Sequence, residues 1–402
     1  MIEVSRSFAA TEPPAATPRT AARPAGFALS TAQIRSFTMI GILIVVWGVF
    51  QFLTHGVFLT PRNLTNLSGQ VAITAILSAG IVLVMVPGYI DLSIGATVSF
   101  CAVCAAIASA IFNLSAPATI LVTLLVGLLI GVWHAVWVAW LRVPSFIVTL
   151  ASLLAIRGLS LVVTSSETLA PDPSLLFISD FSLRAWPSAA LLGIVWLGFV
   201  LLQIREYWAQ AASGMPAALS LFLVPCILGG ALAAAAVAVA ASYRGIPLPV
   251  CILLVVIVIT AGTLRYTVAG RRLYAIGGNR QAAALAGVDI PRHTFFVLAG
   301  MGLLYAVAGL VLVARLASAP PTAGAGLELN VIAAAVIGGT SLLGGRGVVG
   351  GAVIGALLME SLSNGMSLMN LPSAYQSIAV GLVLLFAVYA DIRGRGRSSS
   401  TD

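Results

Sequence analysis

Apolar runs of about 20 residues recur along nearly the whole chain, and this repetition restricts the fold more than any other feature. Each run is long enough as a helix, at about 1.5 Å per residue, to cross a hydrocarbon core of about 30 Å. None shows the strict alternation of a barrel strand. Of the 402 residues 60% are hydrophobic and 8% charged, against roughly 25% charged in a soluble domain. The fold class is therefore all-α, a polytopic transmembrane helical bundle. The runs cover residues 38–59, 67–86, 92–112, 117–141, 146–164, 187–204, 216–241, 249–268, 294–315, 329–343, 348–369 and 374–390. That predicts about twelve spans, ten at the fewest, because 329–343 is short and ends in GGTSLLGGRG, where a broken or re-entrant helix is expected.

Charge sets the topology. All twenty basic residues are Arg, and the net charge is +8. In a soluble protein that balance would suggest nucleic acid, but here the Arg cluster in particular loops, so no nucleic-acid partner is expected and the bias reads as cytoplasmic sidedness. Residues 1–37 are rich in Pro, Ala, Thr and Ser and carry four Arg ahead of the first run; they are expected to be a disordered cytoplasmic tail. The transmembrane domain then occupies 38–392, and 393–402 is a second cytoplasmic tail. The polar connection 165–186, with Glu167, Asp172 and Asp180 against Arg184, fits the outside.

Polar interruptions of the apolar runs mark the candidate sites. The stretch PGYIDLSIG, 87–95, holds a helix breaker, Gly88, Asp91, Ser93 and Gly95. A carboxylate inside hydrocarbon costs roughly 2.5–3.5 kcal/mol, so Asp91 must face protein or water at a break. It either caps the next helix, starting near Leu92, or lines a translocation path. Arg157, inside an apolar run, needs an internal acceptor and serves either a structural hydrogen bond or the substrate. Gly338, Gly339 and Gly345 form a second break. At an offset of 250, Gly88, Leu92 and Gly95 match Gly338, Leu342 and Gly345, a weak internal echo of the kind found in transporter repeats.

Several enzyme signatures fail on context. Gly345, Gly347 and Gly350 fit G-x-G-x-x-G, but no strand precedes them and no acid suits a ribose. With no Lys in the chain, a phosphate-binding loop of the G-x-x-x-x-G-K type is impossible, so any ATP and its Mg must sit on another subunit and no cofactor is expected in this chain. Cys101 and Cys104 lie in an apolar setting that does not favour redox or metal chemistry, and no metal site is predicted.

Arg271 to Arg292 is the sizeable polar island of the C-terminal half. Gly277 and Gly278 are expected as turn backbone, Asn279 as N-cap, residues 280–286 as a two-turn helix, and Gly287 as its left-handed stop. So short a helix is unstable alone, since nucleation outweighs a few propagated residues. The small face of Ala282, Ala283, Leu285 and Ala286 suits a partner's groove; the alternative is a solvated loop.

The stretches PGYIDLSIG, FIVTLASLLAIRGL, GRRLYAIGGNRQAAALAGV and VIAAAVIGGTSLLGGRG resemble the membrane permease subunits of bacterial ATP-binding cassette sugar importers of the ribose, xylose and arabinose group. The likeness runs from Asn63 to Arg393. The closing AYQSIAVGLVLLFAVYADIRGR and the extra pair of spans within 187–241 look most like the D-xylose branch. The resemblance implies an inner-membrane importer with both termini cytoplasmic, a cytoplasmic ATPase subunit, a periplasmic sugar-binding protein and a permease homodimer. It assigns Arg271, Arg272, Tyr274, Gly277, Gly278, Asn279, Ala283 and Gly287 to coupling with the ATPase, within a cytoplasmic loop at 269–293. It further implies alternating-access transport of a monosaccharide such as D-xylose, without an enzymatic reaction in this chain. Relatives often have Gly-Gly where this chain has Gly88 and Tyr89. Ser363, Asn364, Tyr375 and Gln376 are expected as sugar contacts, with helix-to-helix hydrogen bonding the alternative. Two other functions stay open: an ATP-driven permease for another aldose, a nucleoside or an autoinducer, and an ion-coupled transporter using Asp91 or Glu360.

Overall fold

The computed structural model describes residues 31–212 and 219–396. Residues 1–30, 213–218 and 397–402 lie outside the described residues, and most of the two expected tails with them. The first helix, α1, spans Thr31–Leu53, so it begins inside the segment expected to be tail. It is followed by α2 (Pro61–Met85), which starts where the Thr60 hydroxyl accepts the Asn63 N–H and Pro61 occupies the first turn. Next come α3 (Ile94–Ala106) and α4 (Ala116–Ala135), which run on through π-helical turns at Ile107–Ile111 and Val136–Trp140, and α5 (Ser145–Val163).

The connection at 165–186 is more ordered than its composition suggests. It holds a 3₁₀ turn at Pro173–Leu175, the short α6 (Phe177–Asp180) and a strand β1 (Ser182–Leu183), which pairs antiparallel with β2 (Ile246–Pro247). Between these strands lie α7 (Ala185–Ala212) and α8 (Leu219–Ser242). The chain continues as α9 (Leu248–Tyr266), α10 (Val268–Gly278), α11 (Arg280–Leu285), α12 (Ile290–Leu316), α13 (Leu327–Ile337), α14 (Val349–Leu368) and α15 (Ser373–Gly396).

Among the described residues eight helices are long and apolar enough to cross a membrane: α2, α3 and α4 with their π turns, α5, α7, α8, α9 and α12. The apolar pieces Thr38–Leu53, Leu327–Ile337 and Ser373–Tyr389 are shorter. The short, broken segment anticipated at GGTSLLGGRG is α13, whose 11 residues reach only about 16 Å, half of a hydrocarbon core.

Burial grades from centre to edge. The apolar window of α2 is 83% buried, those of α3 and α12 are 67% buried, and those of α7 and α8 only 6%. Lipid tails are as apolar as leucine, so helices in a membrane gain little by hiding apolar surface and associate instead through close contact of small residues. The α4–α12 seam shows this. Gly127 and Gly131, one turn apart, face Gly302 and Ala306; a Cβ on Gly131 would stand 2.7 Å from the Leu298 carbonyl oxygen and 2.8 Å from the Gly302 Cα. Gly300, on the same helix as Gly302, has no atom within 4 Å of its added Cβ. We therefore expect Gly131→Ala to destabilise the bundle by about 1–3 kcal/mol through overpacking, while Gly300→Ala is neutral or slightly stabilising. Thermal unfolding of the two variants in detergent micelles checks this.

Candidate functional site

The chain leaves α2 through a turn in which Gly88 adopts φ +90°, and it is non-helical until α3 begins at Ile94. Backbone groups released by such a break need partners inside the protein. Here α5 supplies them: the Ser145 Oγ accepts the Ile90 N–H at 3.1 Å and the Thr149 Oγ1 accepts the Leu92 N–H at 3.1 Å. Asp91 is fully buried. Its Oδ1 accepts the Ser93 N–H at 2.8 Å and the Ser93 hydroxyl at 2.7 Å, and its Oδ2 accepts the Tyr305 hydroxyl. The helix cap expected of Asp91 is not made: its Oδ1 stops at Ser93, the residue before α3, and no side chain caps that helix. The carboxylate holds the approach to α3, with the Ser93 hydroxyl turned onto it. Tyr305 lies about midway along α12, so the break ends near the half-height of the bundle.

A second non-helical run, 317–326, reaches the same point from the other side. Ala317 turns the chain in the left-handed region, the Ala319 N–H donates to the Leu169 carbonyl at 2.7 Å, and the Gly324 N–H donates to the Ser99 Oγ at 2.7 Å. Gly95 and Gly324 pass so closely that a Cβ on Gly95 would overlap the Gly324 carbonyl and the Glu328 carboxylate. The N-termini of α3 and α13 thus meet, both with their positive dipole ends directed inward.

Beside this meeting point lies a small cleft of about 50 Å³ lined by Ala96, Ser99, Arg157, Thr322, Ala325 and Glu328, among others. Glu328 Oε1 accepts the Gly326 N–H at 3.3 Å, and Arg157 lines the same cleft. Arg157 itself is exposed. The internal hydrogen bond expected for it is absent among the described residues, because α5 turns this side chain to the open face of the cleft. Glu328 went unnoticed in the sequence, although an acid in the first turn of an apolar helix is a usable signal. Larger hollows, about 850 Å³ between α9 and α12 and about 490 Å³ between α4 and α5, are lined almost wholly by apolar side chains.

The second glycine-rich break touches the first from below. Gly338 ends α13, and Gly339, Gly344 and Gly345 have φ of +100°, +83° and +76°. The Gly345 N–H donates to the Val86 carbonyl at 2.8 Å, and a Cβ on Gly344 would stand 3.0 Å from the Gly88 Cα. The sequence echo paired Gly95 with Gly345, but these are not structural counterparts. Gly95 sits in the first turn of α3 against Gly324, Gly345 in a left-handed turn against Val86.

The polar island packs on this junction. Gly277 and Gly278, expected as turn backbone, lie in the last turn of α10. Gly277 is there for proximity, since its Cβ would overlap the Val86 carbonyl and crowd the Gly345 nitrogen. Tyr274 donates its hydroxyl to the Gly347 carbonyl at 2.6 Å, and burial raises its phenol above the usual range, which keeps it a donor. Asn279 caps α11 by accepting the Ala282 N–H at 2.9 Å, and Gly287 has φ +80°, both as expected. One expectation is corrected: Ala283 turns inward onto Ile276 and Ile290, not outward to a partner. Leu285, 91% exposed, projects from α11 instead, and Arg271 and Arg272 are exposed on α10.

The four expected sugar contacts lie on α14 and α15. Asn364 is buried and staples α14 to α2, accepting from the Asn63 Nδ2 at 3.0 Å. Gln376 donates to the Ser367 Oγ at 3.1 Å and the Leu371 carbonyl at 3.3 Å, closing the α14–α15 turn. Tyr375 is exposed and Ser363 half-buried; none of the four lines the Arg157–Glu328 cleft.

Residues 63–388 match the family described as branched-chain amino acid transport system / permease component. The chain belongs to this permease family. It is 39% identical over 372 residues to the xylose transport system permease protein of Escherichia coli K12, covering 92% of this chain and 95% of that one. The same protein of Haemophilus influenzae is 39% identical over 367 residues, covering 91% and 98%. The ribose import permease protein of E. coli K12 is 34% identical over 336 residues, covering 83% and 87%. No solved structure gives a significant match. The permease is a transport component, not an enzyme, and a multi-pass membrane protein.

In the permease, Asp91→Ala should cost about 1–3 kcal/mol for each buried donor it strands. Adding Tyr305→Phe, which removes one of those donors, should recover part of the loss. A double-mutant cycle of unfolding temperatures reads this coupling.

Proposed function

We propose that the permease carries a pentose, D-xylose in the first instance, into the cytoplasm as the membrane subunit of an ATP-binding cassette importer. The observation that carries this reading is 39% identity with xylose permeases across 92% of the chain. An ATPase subunit supplies the energy, a periplasmic binding protein delivers the sugar, and two copies of the permease form the channel in the inner membrane. The Arg-rich island and the four Arg before the first run favour cytoplasmic termini and twelve crossings, with α13 and the 338–347 turn together making one of them.

Sugar passes along the face of α3, α5 and α13, where the Glu328 carboxylate accepts from its hydroxyls and the Arg157 guanidinium donates to them. The ATPase docks on α10 and α11, and its nucleotide-driven closure moves them. Asp91 and Glu360 support no ion-coupled alternative. Asp91 holds the approach to α3, and Glu360 accepts the Thr74 hydroxyl at 2.6 Å between α14 and α2.

Proteoliposomes containing permease, ATPase and binding protein test the reading. Uptake of labelled xylose should require ATP hydrolysis, and uptake that persists with an ATPase-dead partner would sink it. In this assay Glu328→Gln should lower uptake about tenfold, the weight of one hydrogen bond to a charged group, without altering sugar affinity of the binding protein. Gly287→Val forces a β-branched residue into φ +80°, so it should leave folding and basal ATP hydrolysis intact while uptake per ATP falls. Parallel measurement of phosphate release and uptake decides this.

A further inference from the structure

One side-chain relay joins α11 to the first break. Tyr89 lies in the break with 6% exposure. Its hydroxyl stands 3.0 Å from the Arg280 Nη1 and 2.7 Å from the Thr294 Oγ1, and the guanidinium carbon of Arg280 lies 5.7 Å from the Tyr89 ring centroid. The direction of the relay follows from proton count. Thr294 gives its single hydroxyl proton to the Ile290 carbonyl at 2.9 Å, so Tyr89 must donate to Thr294 and its oxygen is free to accept from Arg280. Arg280, the first residue of α11, thereby grips both the hydroxyl and the π face of one ring. Two residues further on, Asp91 is bonded to Tyr305, and three residues after that α3 begins at Ile94. Among the described residues no other α11 side chain hydrogen-bonds to this break. The α10 contacts fall at Val86 and on the 344–347 turn.

We propose that Arg280 and Tyr89 are a positioning pair that transmits displacement of α11 to the N-terminus of α3, and so to the Gly95–Glu328 side of the cleft. The proposal rests on the reading that α11 docks the ATPase. Neither residue touches the sugar. Pulling α11 draws the Tyr89 ring with it, and the short tether to Asp91 passes the movement to the half-height of the bundle. Thr294 anchors the ring to α12 without reaching α11.

The test uses the full complex of permease, ATPase and binding protein in proteoliposomes, with xylose uptake and phosphate release followed side by side. Arg280→Ala and Tyr89→Phe should each lower sugar moved per ATP about fivefold, within the usual range of coupling between sites, while binding-protein-stimulated hydrolysis persists. The double variant should be no worse than the poorer single one, Arg280→Lys should recover part of the ratio, and Thr294→Val should leave it nearly unchanged. If Arg280→Ala fails to assemble with the ATPase on gel filtration, Tyr89→Phe, which removes a single oxygen, carries the test alone. An unchanged ratio in Tyr89→Phe, a parallel fall of uptake and hydrolysis, or multiplied losses in the double variant would overturn the proposal. A wild-type complex that moves no sugar on ATP hydrolysis would overturn the parent reading, and this one with it, and is recognised without any variant.

Discussion

Every backbone N–H and C=O that leaves a helix inside hydrocarbon needs a protein partner, because no water is there to supply one. The permease meets this demand at the 86–93 break with side chains from two helices at once. Ser145 and Thr149 of α5 take the Ile90 and Leu92 amides, while Asp91 takes the Ser93 amide and is itself held by Tyr305 of α12. The start of α3 is therefore located by a few directional bonds, not by diffuse packing. Directional bonds define discrete positions, and an element held by them moves between states instead of deforming gradually.

Glycine supplies the complementary rigidity. At Gly277 against Val86 and Gly345, and at Gly95 against Gly324, backbone meets backbone with no intervening side chain. Such contacts have nothing compressible in them, so α10 and the 338–347 turn are tied to the exit of α2 as one body. The relay through Tyr89 lies on the other side of Gly88, within the break. Gly88, at φ +90°, thus separates a segment clamped to the Arg-rich island from one tethered to the middle of the bundle.

Much of this was legible in the sequence because the signals are local. The run at 117–141 became a helix continuing to Trp140, and Asn279 and Gly287 bound α11 as their chemistry requires. What failed required knowing a neighbour. Gly277 looks like a turn residue until the Val86 carbonyl is seen against it. Asn364 and Gln376 carry the same signal, a polar group in an apolar run, whether they face a sugar or another helix, and only the fold shows the bonds they make to Asn63 and Ser367. Arg157 and Glu328 lie too far apart in sequence for any periodicity to connect them.

The exposure of Arg157 places a limit on how a single chain sits in the membrane. An arginine facing lipid near mid-depth costs roughly 2.5–3.5 kcal/mol on insertion scales, and here no internal hydrogen bond offsets it among the described residues. The outward faces of α7 and α8, which are also little buried, carry no such charge through their apolar middles and suit lipid directly. The two kinds of exposed face therefore have different neighbours. The α7–α8 pair belongs against acyl chains, whereas the α3, α5 and α13 face is favoured only beside water or another polypeptide. A second copy meeting the first across that face would provide both, with the Arg157–Glu328 clefts opening onto an aqueous seam between the copies.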